Sequence, residues 1–207
     1  MNIKVCGITS LKQLQQLDGL NIDFAGLNFY ESSPRYVGEN IDAETLIQAD
    51  LDVRTVGIFV DDDYETVMEK VEKYELHMVQ LHGSESPELC KELSADTEVI
   101  KVFAIDDNVK DIDELVAPYD AVCDYYLFDT ASEAKGGSGK KFNWDLLSKA
   151  KIEKPFFISG GIATSDAVAL KNFKHPDFYG VDINSKFEKS AGVKDMAAVL
   201  EFKLAIK

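Results

Sequence analysis

Short apolar segments alternate with amphipathic stretches eight times along this chain of 207 residues. The apolar segments are rich in β-branched and aromatic residues, whereas the stretches between them have the period of surface helices. Repeated strand–helix units build a parallel sheet, because each parallel connection needs a crossover and the helix supplies it. The predicted strands are 3–6, 24–29, 54–59, 78–81, 99–103, 125–128, 155–158 and 178–182, and the predicted helices are 9–20, 43–49, 64–74, 87–93, 109–116, 144–150, 165–172 and 193–205.

Eight such units in about 200 residues fit a compact (β/α)8 TIM barrel of the α/β class, formed as one domain over 1–207. The alternative is a doubly wound open sheet. That fold usually has a glycine-rich dinucleotide-binding turn after its first strand, and here only Gly7 follows that strand. The sequence therefore favours the barrel.

The charge balance excludes several classes of partner. With 37 acidic and 22 basic residues the net charge is −15, which repels nucleic acid and anionic membranes, so an anionic ligand needs a local site. No secretory signal or membrane-spanning segment is predicted. The cysteines are too few for a disulfide framework and indicate a reducing, cytoplasmic location, and the histidines lack metal-ligand spacing, so no metal is predicted.

Polar side chains collect where the predicted strands end. In a parallel barrel the carboxyl ends of the strands face the active site, so this pattern favours catalysis or binding there. The residues at these positions are Cys6, Asn28, Gln80, His82, Asp129, Ser159, Asp182 and Ser185. Taken alone, Cys6 is also consistent with a small buried residue of the core, and His82 with a residue that forms a structural hydrogen bond.

Asp129 follows an apolar strand, and partial burial of a carboxyl favours its protonated form, so it is a candidate general acid. The alternative is a loop cap. The glycine-rich stretch 136–141 that comes next is predicted to be a mobile lid.

Two segments near the end of the chain predict a phosphate site. Gly160 and Gly161 follow strand seven, and Asn184 and Ser185 follow strand eight. Phosphate in such barrels is commonly held by backbone N–H groups of these two loops, although the glycines alone would also fit a tight turn. Lys186 either adds a charge to this site or points to solvent.

Arg35 is one of two arginines in the chain and lies in the loop after strand two. Its planar fork could bind a substrate carboxylate, or it could form a surface ion pair. Lys4 lies two residues before Cys6 and so shares its face of the strand. Since strand eight lies beside strand one in a closed barrel, we predict a buried ion pair between Lys4 and Asp182 under the site.

In this order, these motifs resemble the phosphoribosylanthranilate isomerase family over nearly the whole chain. The segments that carry the resemblance are 4–9, 33–36, 79–83, 129–130, 136–139 with 142–144, 159–161, 181–182 and 192–195, while Lys186 stands where the family usually has a small residue. The resemblance implies a (β/α)8 barrel and an Amadori rearrangement of a phosphosugar without metal or organic cofactor. It also implies that Asp129 is the general acid and Cys6 the general base. A monomer is the default expectation and a homodimer the alternative.

Two other functions remain open. A related barrel enzyme, indole-glycerol-phosphate synthase, would need a catalytic lysine at the end of a strand. The only lysines within the predicted strands are Lys4 and Lys101, and both lie inside a strand or at its start. A non-catalytic barrel that binds a phosphosugar as a sensor would keep the phosphate site without turnover.

Overall fold

Eight parallel strands close into a barrel in the computed structural model of the chain, which describes residues 1–38, 40–106, 108–131 and 141–207. Each strand pairs with the next along the chain, and the eighth pairs with the first, with Lys4 opposite Asp182. The (β/α)8 TIM-barrel prediction is therefore confirmed, and the open sheet is excluded. The strands are β1 (Asn2–Val5), β2 (Phe24–Asn28), β3 (Arg54–Phe59), β4 (Met78–Leu81), β5 (Glu98–Ile105), β6 (Tyr125–Thr130), β7 (Phe156–Ile158) and β8 (Phe178–Ile183).

Helices follow the strands and cover the outside of the barrel. Two start where the sequence places a start signal: the Asp63 side chain accepts a hydrogen bond from Thr66 N, and Ser86 caps a helix whose first residue is Pro87. The helices are α1 (Leu11–Gly19), α2 (Ala43–Gln48), α3 (Tyr64–Tyr74), α4 (Pro87–Leu93), α5 (Ile112–Val116), α6 (Asp145–Lys149), α7 (Ala167–Asn172) and α8 (Met196–Ile206). None in the described part of the chain is long and apolar enough to cross a membrane.

The alternation of side chains along the strands divides the apolar core into two layers. One layer packs between the strands and the helices, and the other fills the barrel interior, where Phe24 and Phe157 meet edge to face with ring centroids 5.6 Å apart. The interior layer is formed by Phe24, Val56, Met78, Ile100, Val102, Leu127 and Phe157. This apolar floor closes the barrel below the carboxyl ends of the strands.

The start of the last predicted helix was wrong. Val193–Lys194 forms a short strand, β10, which pairs antiparallel with β9 (Glu188–Ser190), and α8 begins only at Met196. Asp195 ends the hairpin and caps α8, because its carboxylate accepts hydrogen bonds from the N–H groups of the second and third helical residues. A hairpin therefore lies between β8 and the last helix. Of the predicted lid, 136–141, all but Lys141 lies outside the described residues.

Candidate active site

A cavity of about 350 Å³ opens at the carboxyl ends of the barrel strands. Its volume is in the range of small-molecule sites. Every site residue predicted from the sequence lines this cavity except Gln80. The closed barrel thus brings together side chains that are up to 179 positions apart in the chain, from Cys6 to Ser185.

Cys6 follows directly on β1, and its N–H donates to Ile183 O at 2.9 Å, so the end of β8 fixes its position. Burial raises the pKa of the Cys6 thiol above its ordinary value, whereas the positive charges of Lys4, Lys194 and Arg35 act in the opposite direction. The thiol is therefore mostly protonated in the free protein at neutral pH.

Lys4 and Asp182 form the ion pair that the strand parity predicts. Lys4 Nζ lies 3.0 Å from Asp182 Oδ1, with both side chains almost completely buried beneath the cavity. Burial alone would lower the pKa of Lys4, but Asp182 and Cys6 raise it above its ordinary value. Ser159 Oγ donates to the other oxygen of Asp182 at 3.4 Å. A fixed ammonium therefore lies next to the Cys6 thiol.

Asp129 lies on the β6 side of the cavity. Its Oδ1 accepts a hydrogen bond from Thr130 N at 2.8 Å, and its Oδ2 lies 3.5 Å from His82 Nε2. His82 in turn contacts Gln80, with 3.1 Å between Nδ1 and the amide nitrogen. Gln80 is fully buried behind His82 and does not line the cavity, although the sequence places it among the polar residues that collect at the strand ends. Gln80 orients His82, and His82 faces the carboxyl of Asp129.

The glycines after β7 adopt the left-handed conformation that the predicted phosphate loop requires, with φ of 91° at Gly160 and 63° at Gly161. A Cβ on Gly160 would lie 2.3 Å from Thr130 Oγ1, so a larger residue does not fit there. The N–H groups of both glycines have no partner among the residues that the structure describes. Asn184 and Ser185, after the neighbouring strand β8, line the same cavity, while Lys186 is exposed and outside its lining.

Arg35 reaches the cavity from the loop after β2, and its guanidinium pairs with a carboxylate of the same chain. Nε and Nη2 of Arg35 donate to Glu188 at 2.9 and 2.7 Å. Lys194 Nζ donates to the same carboxylate at 2.7 Å. Burial opposes the charge on Glu188, yet these two cations lower its pKa to about 2. Burial lowers the pKa of Lys194, and Glu188 opposes that shift.

Sequence reasoning missed Glu188 and Lys194 as site residues. Lys194 belongs to one of the segments that carry the family resemblance, but the expected helix placed it away from the cavity. The other strand lysine, Lys101, points outward from the barrel. Its ammonium is buried against Glu85 at 2.7 Å and Gly83 O at 2.9 Å, where it fixes the loop after β4.

The described residues contain no group of His, Cys, Asp and Glu that could hold a metal ion. The cavity is lined by a carboxyl, a thiol, a guanidinium and a loop whose backbone N–H groups have no partner in the described part of the chain. Together, the fold and these groups define a (β/α)8-barrel enzyme that works by acid–base chemistry on a small anionic substrate.

Comparison with known proteins narrows this class. The sequence model of the N-(5'-phosphoribosyl)anthranilate (PRA) isomerase family matches residues 3–203, so the chain belongs to this family. The N-(5'-phosphoribosyl)anthranilate isomerase of Parabacteroides distasonis is 41% identical over 204 residues, covering 98% of this chain and 91% of that protein.

Solved structures agree with this placement. Phosphoribosyl anthranilate isomerase from Thermotoga maritima superposes with a TM-score of 0.86 at 28% identity, covering 100% of this chain and 98% of that one. A phosphoribosyl anthranilate isomerase in complex with reduced 1-(o-carboxyphenylamino)-1-deoxyribulose 5-phosphate has a TM-score of 0.78 at 26% identity, with the same coverage.

Proposed function

We propose that this chain catalyses the Amadori rearrangement of N-(5-phosphoribosyl)anthranilate to 1-(2-carboxyphenylamino)-1-deoxyribulose 5-phosphate, a step of tryptophan biosynthesis. The observation that carries the proposal is that Cys6 and Asp129 line the same cavity from separate strands, β1 and β6, which lie three strands apart around the barrel. An aldose–ketose rearrangement needs an acid and a base on the two sides of the sugar.

In the first step, Asp129 donates its proton to the ring oxygen of the ribose. The bond between that oxygen and C1 breaks, and the amine lone pair forms a C1=N iminium. Thr130 N and His82 lie against the two oxygens of the carboxyl, so the carboxylate left after proton transfer is stabilised where it forms.

In the second step, the Cys6 thiolate removes the proton on C2. The electron pair of that bond forms C1=C2, and the iminium nitrogen becomes neutral. The enolamine then loses its O2 proton and gains one at C1, which yields the ketose, an isomer of the substrate. Asp129 regains a proton and Cys6 releases one, so both side chains return to their starting states. The iminium is the electron sink, so the step requires no metal or organic cofactor.

The two ends of the substrate carry charges that the cavity matches. We assign the phosphate to the backbone of Gly160 and Gly161 together with Asn184 and Ser185. We assign the anthranilate carboxylate to Arg35. Anchoring both ends holds the sugar between the acid and the base.

The alternatives make different predictions in a turnover assay with N-(5-phosphoribosyl)anthranilate. Indole-glycerol-phosphate synthesis is disfavoured because no lysine occurs among the described residues that line the cavity. A sensor would bind a ribulose-phosphate product analogue tightly and show no turnover. Formation of the ketose product by the purified protein supports the proposal, and its absence would exclude it.

The chain is proposed to act as a monomer in the cytoplasm. All residues assigned here come from one chain, so a second copy is not needed to complete the site. The described cysteines are free, as expected in a reducing compartment.

Replacing Arg35 with Met is expected to raise KM by about 10–100-fold, because a charge-assisted bidentate contact is lost from both the ground and transition states. The value of kcat should change far less. Steady-state kinetics measure both. Arg54→Met is the matched control. Arg54 lies at the opposite end of the barrel, where its Nη2 is 3.1 Å from Glu98 Oε1. An unchanged KM in Arg35→Met would remove Arg35 from the site.

Lys186→Gly is expected to leave inhibition by inorganic phosphate unchanged to within about twofold, because an exposed charge outside the cavity contributes little. Ser185→Ala should weaken the same inhibition through loss of a hydroxyl donor. Inhibition constants of inorganic phosphate for both variants show whether Lys186 contacts the phosphate or points to solvent. A weakening in Lys186→Gly as large as that in Ser185→Ala would place Lys186 at the phosphate.

A further inference from the structure

The β9–β10 hairpin places two oppositely charged side chains against Arg35, outside the set of groups that the rearrangement itself uses. The side chains of Glu188 and Lys194 are 4% and 0% exposed. Burying two charges is costly even when they pair with each other, so we ask what Glu188 and Lys194 contribute to the site.

Gly7 allows Arg35 to reach this hairpin. Gly7 has φ of 75°, and a Cβ at this position would lie 2.5 Å from Arg35 Cδ and 3.0 Å from Asn184 Oδ1. The arginine side chain therefore crosses directly over the end of β1, beside Cys6. The Arg35 side chain is only 14% exposed, so few orientations are open to its guanidinium.

Glu188 occupies one edge of the Arg35 guanidinium and leaves another available. Its carboxylate accepts from Nε and Nη2, which form the lateral edge of the fork. Nη1 has no hydrogen-bond partner among the described residues, so the edge formed by Nη1 and Nη2 can still receive a second carboxylate. Glu188 therefore orients Arg35 without blocking it.

The charges of the cluster formed by Arg35, Glu188 and Lys194 do not cancel. An isolated pair of Arg35 and Glu188 would be neutral and would attract a substrate carboxylate weakly. Lys194 adds a second cation on the same Glu188 carboxylate, so the three groups together carry one net positive charge. Lys194 also donates to Asn184 Oδ1 at 2.6 Å, which links the cluster to the loop assigned to the phosphate.

We propose that Glu188 and Lys194 are positioning residues that make Arg35 selective for an aryl carboxylate: Glu188 sets the orientation of the guanidinium, and Lys194 maintains the positive charge that Glu188 would otherwise cancel. The inference deepens the proposed function and rests on it, since the carboxylate is that of the anthranilate ring. Neither residue touches the reacting atoms.

The test compares two ligands on the same protein. One is reduced 1-(o-carboxyphenylamino)-1-deoxyribulose 5-phosphate, and the other is the same molecule without its carboxyl group. Calorimetric dissociation constants for both give a preference ratio. In Lys194→Met this ratio should fall by about tenfold, the size of one charge-assisted hydrogen bond, while binding of the carboxyl-free ligand changes little.

Two further variants control for charge and for position. Lys194→Arg keeps the positive charge and should restore most of the preference. Lys189→Met removes an exposed lysine of the same hairpin and should leave the ratio unchanged. If Lys194→Met does not fold, Lys194→Gln, which keeps a donor without the charge, carries the same expectation.

The outcomes separate this inference from the proposed function. A native protein that turns over the substrate and prefers the carboxylated ligand, with that preference intact in Lys194→Met, would refute the role of Lys194. An equal weakening of both ligands would show a merely structural role and would also refute it. A native protein without turnover or preference would overturn the proposed function itself.

Discussion

Cys6→Ser and Asp129→Asn are each expected to lower kcat by about 10²–10⁴-fold, the usual contribution of a general base or acid. A serine hydroxyl is a far weaker base than a thiolate, and an asparagine amide has no proton to give to the ring oxygen. Both variants should still bind the reduced product analogue, because the phosphate loop and Arg35 are untouched. Single-turnover kinetics together with calorimetry measure the two effects separately.

Cys123→Ser is the matched control for the thiol, since Cys123 is a free, buried cysteine outside the cavity. Its kcat should stay close to that of the native protein. A loss of less than about tenfold in Cys6→Ser or Asp129→Asn would be too small for a group of this kind and would refute the role of that residue.

The pH profile provides a second readout for Cys6. The base is the thiolate, whereas Asp129 must be protonated, so the thiol is best followed in Asp129→Asn, where the residual kcat/KM should rise with pH as the thiol of the free protein ionises. Because burial raises the pKa of this thiol above its ordinary value, the rise should continue into the alkaline range instead of levelling off near neutrality. This rising limb should be absent in the double variant Cys6→Ser, Asp129→Asn.

Lys4→Met and Asp182→Asn are each expected to lower the free energy of unfolding by about 3–5 kcal/mol, because either change leaves a buried polar or charged partner without its counterpart. Urea denaturation measures the loss. The double variant should lose less than the sum of the single variants, since the two groups interact directly. In the Asp129→Asn background, Lys4→Met should also shift the alkaline rise of kcat/KM to higher pH, because the ammonium favours the Cys6 thiolate.

Lys70→Met is the control for stability. Lys70 pairs with Glu69 at 2.9 Å on the exposed surface, where an ion pair contributes at most about 1 kcal/mol. If Lys4→Met were no more destabilising than Lys70→Met, the buried pair would have no special role in holding β1 against β8.

The sequence by itself determined the barrel and the ends of its strands. The alternation of apolar and amphipathic segments repeats eight times, and local periodicity of that kind needs no long-range information to read. The strand ends then place Cys6, Asp129 and the two glycines of 160–161 on one rim. The Lys4–Asp182 pair could also be predicted, because strand parity and barrel closure suffice to bring the two residues together.

Only the tertiary structure decided how the charged groups of the site are paired. Arg35 and Glu188 are 153 positions apart, and the hairpin that joins Glu188 to Lys194 has strands of three and two residues, too short to leave a periodic signal. Gln80 is on the same strand face as His82, yet burial places it behind the imidazole instead of in the cavity. Such contacts depend on distances between side chains from different loops, and these distances are set only when the barrel closes.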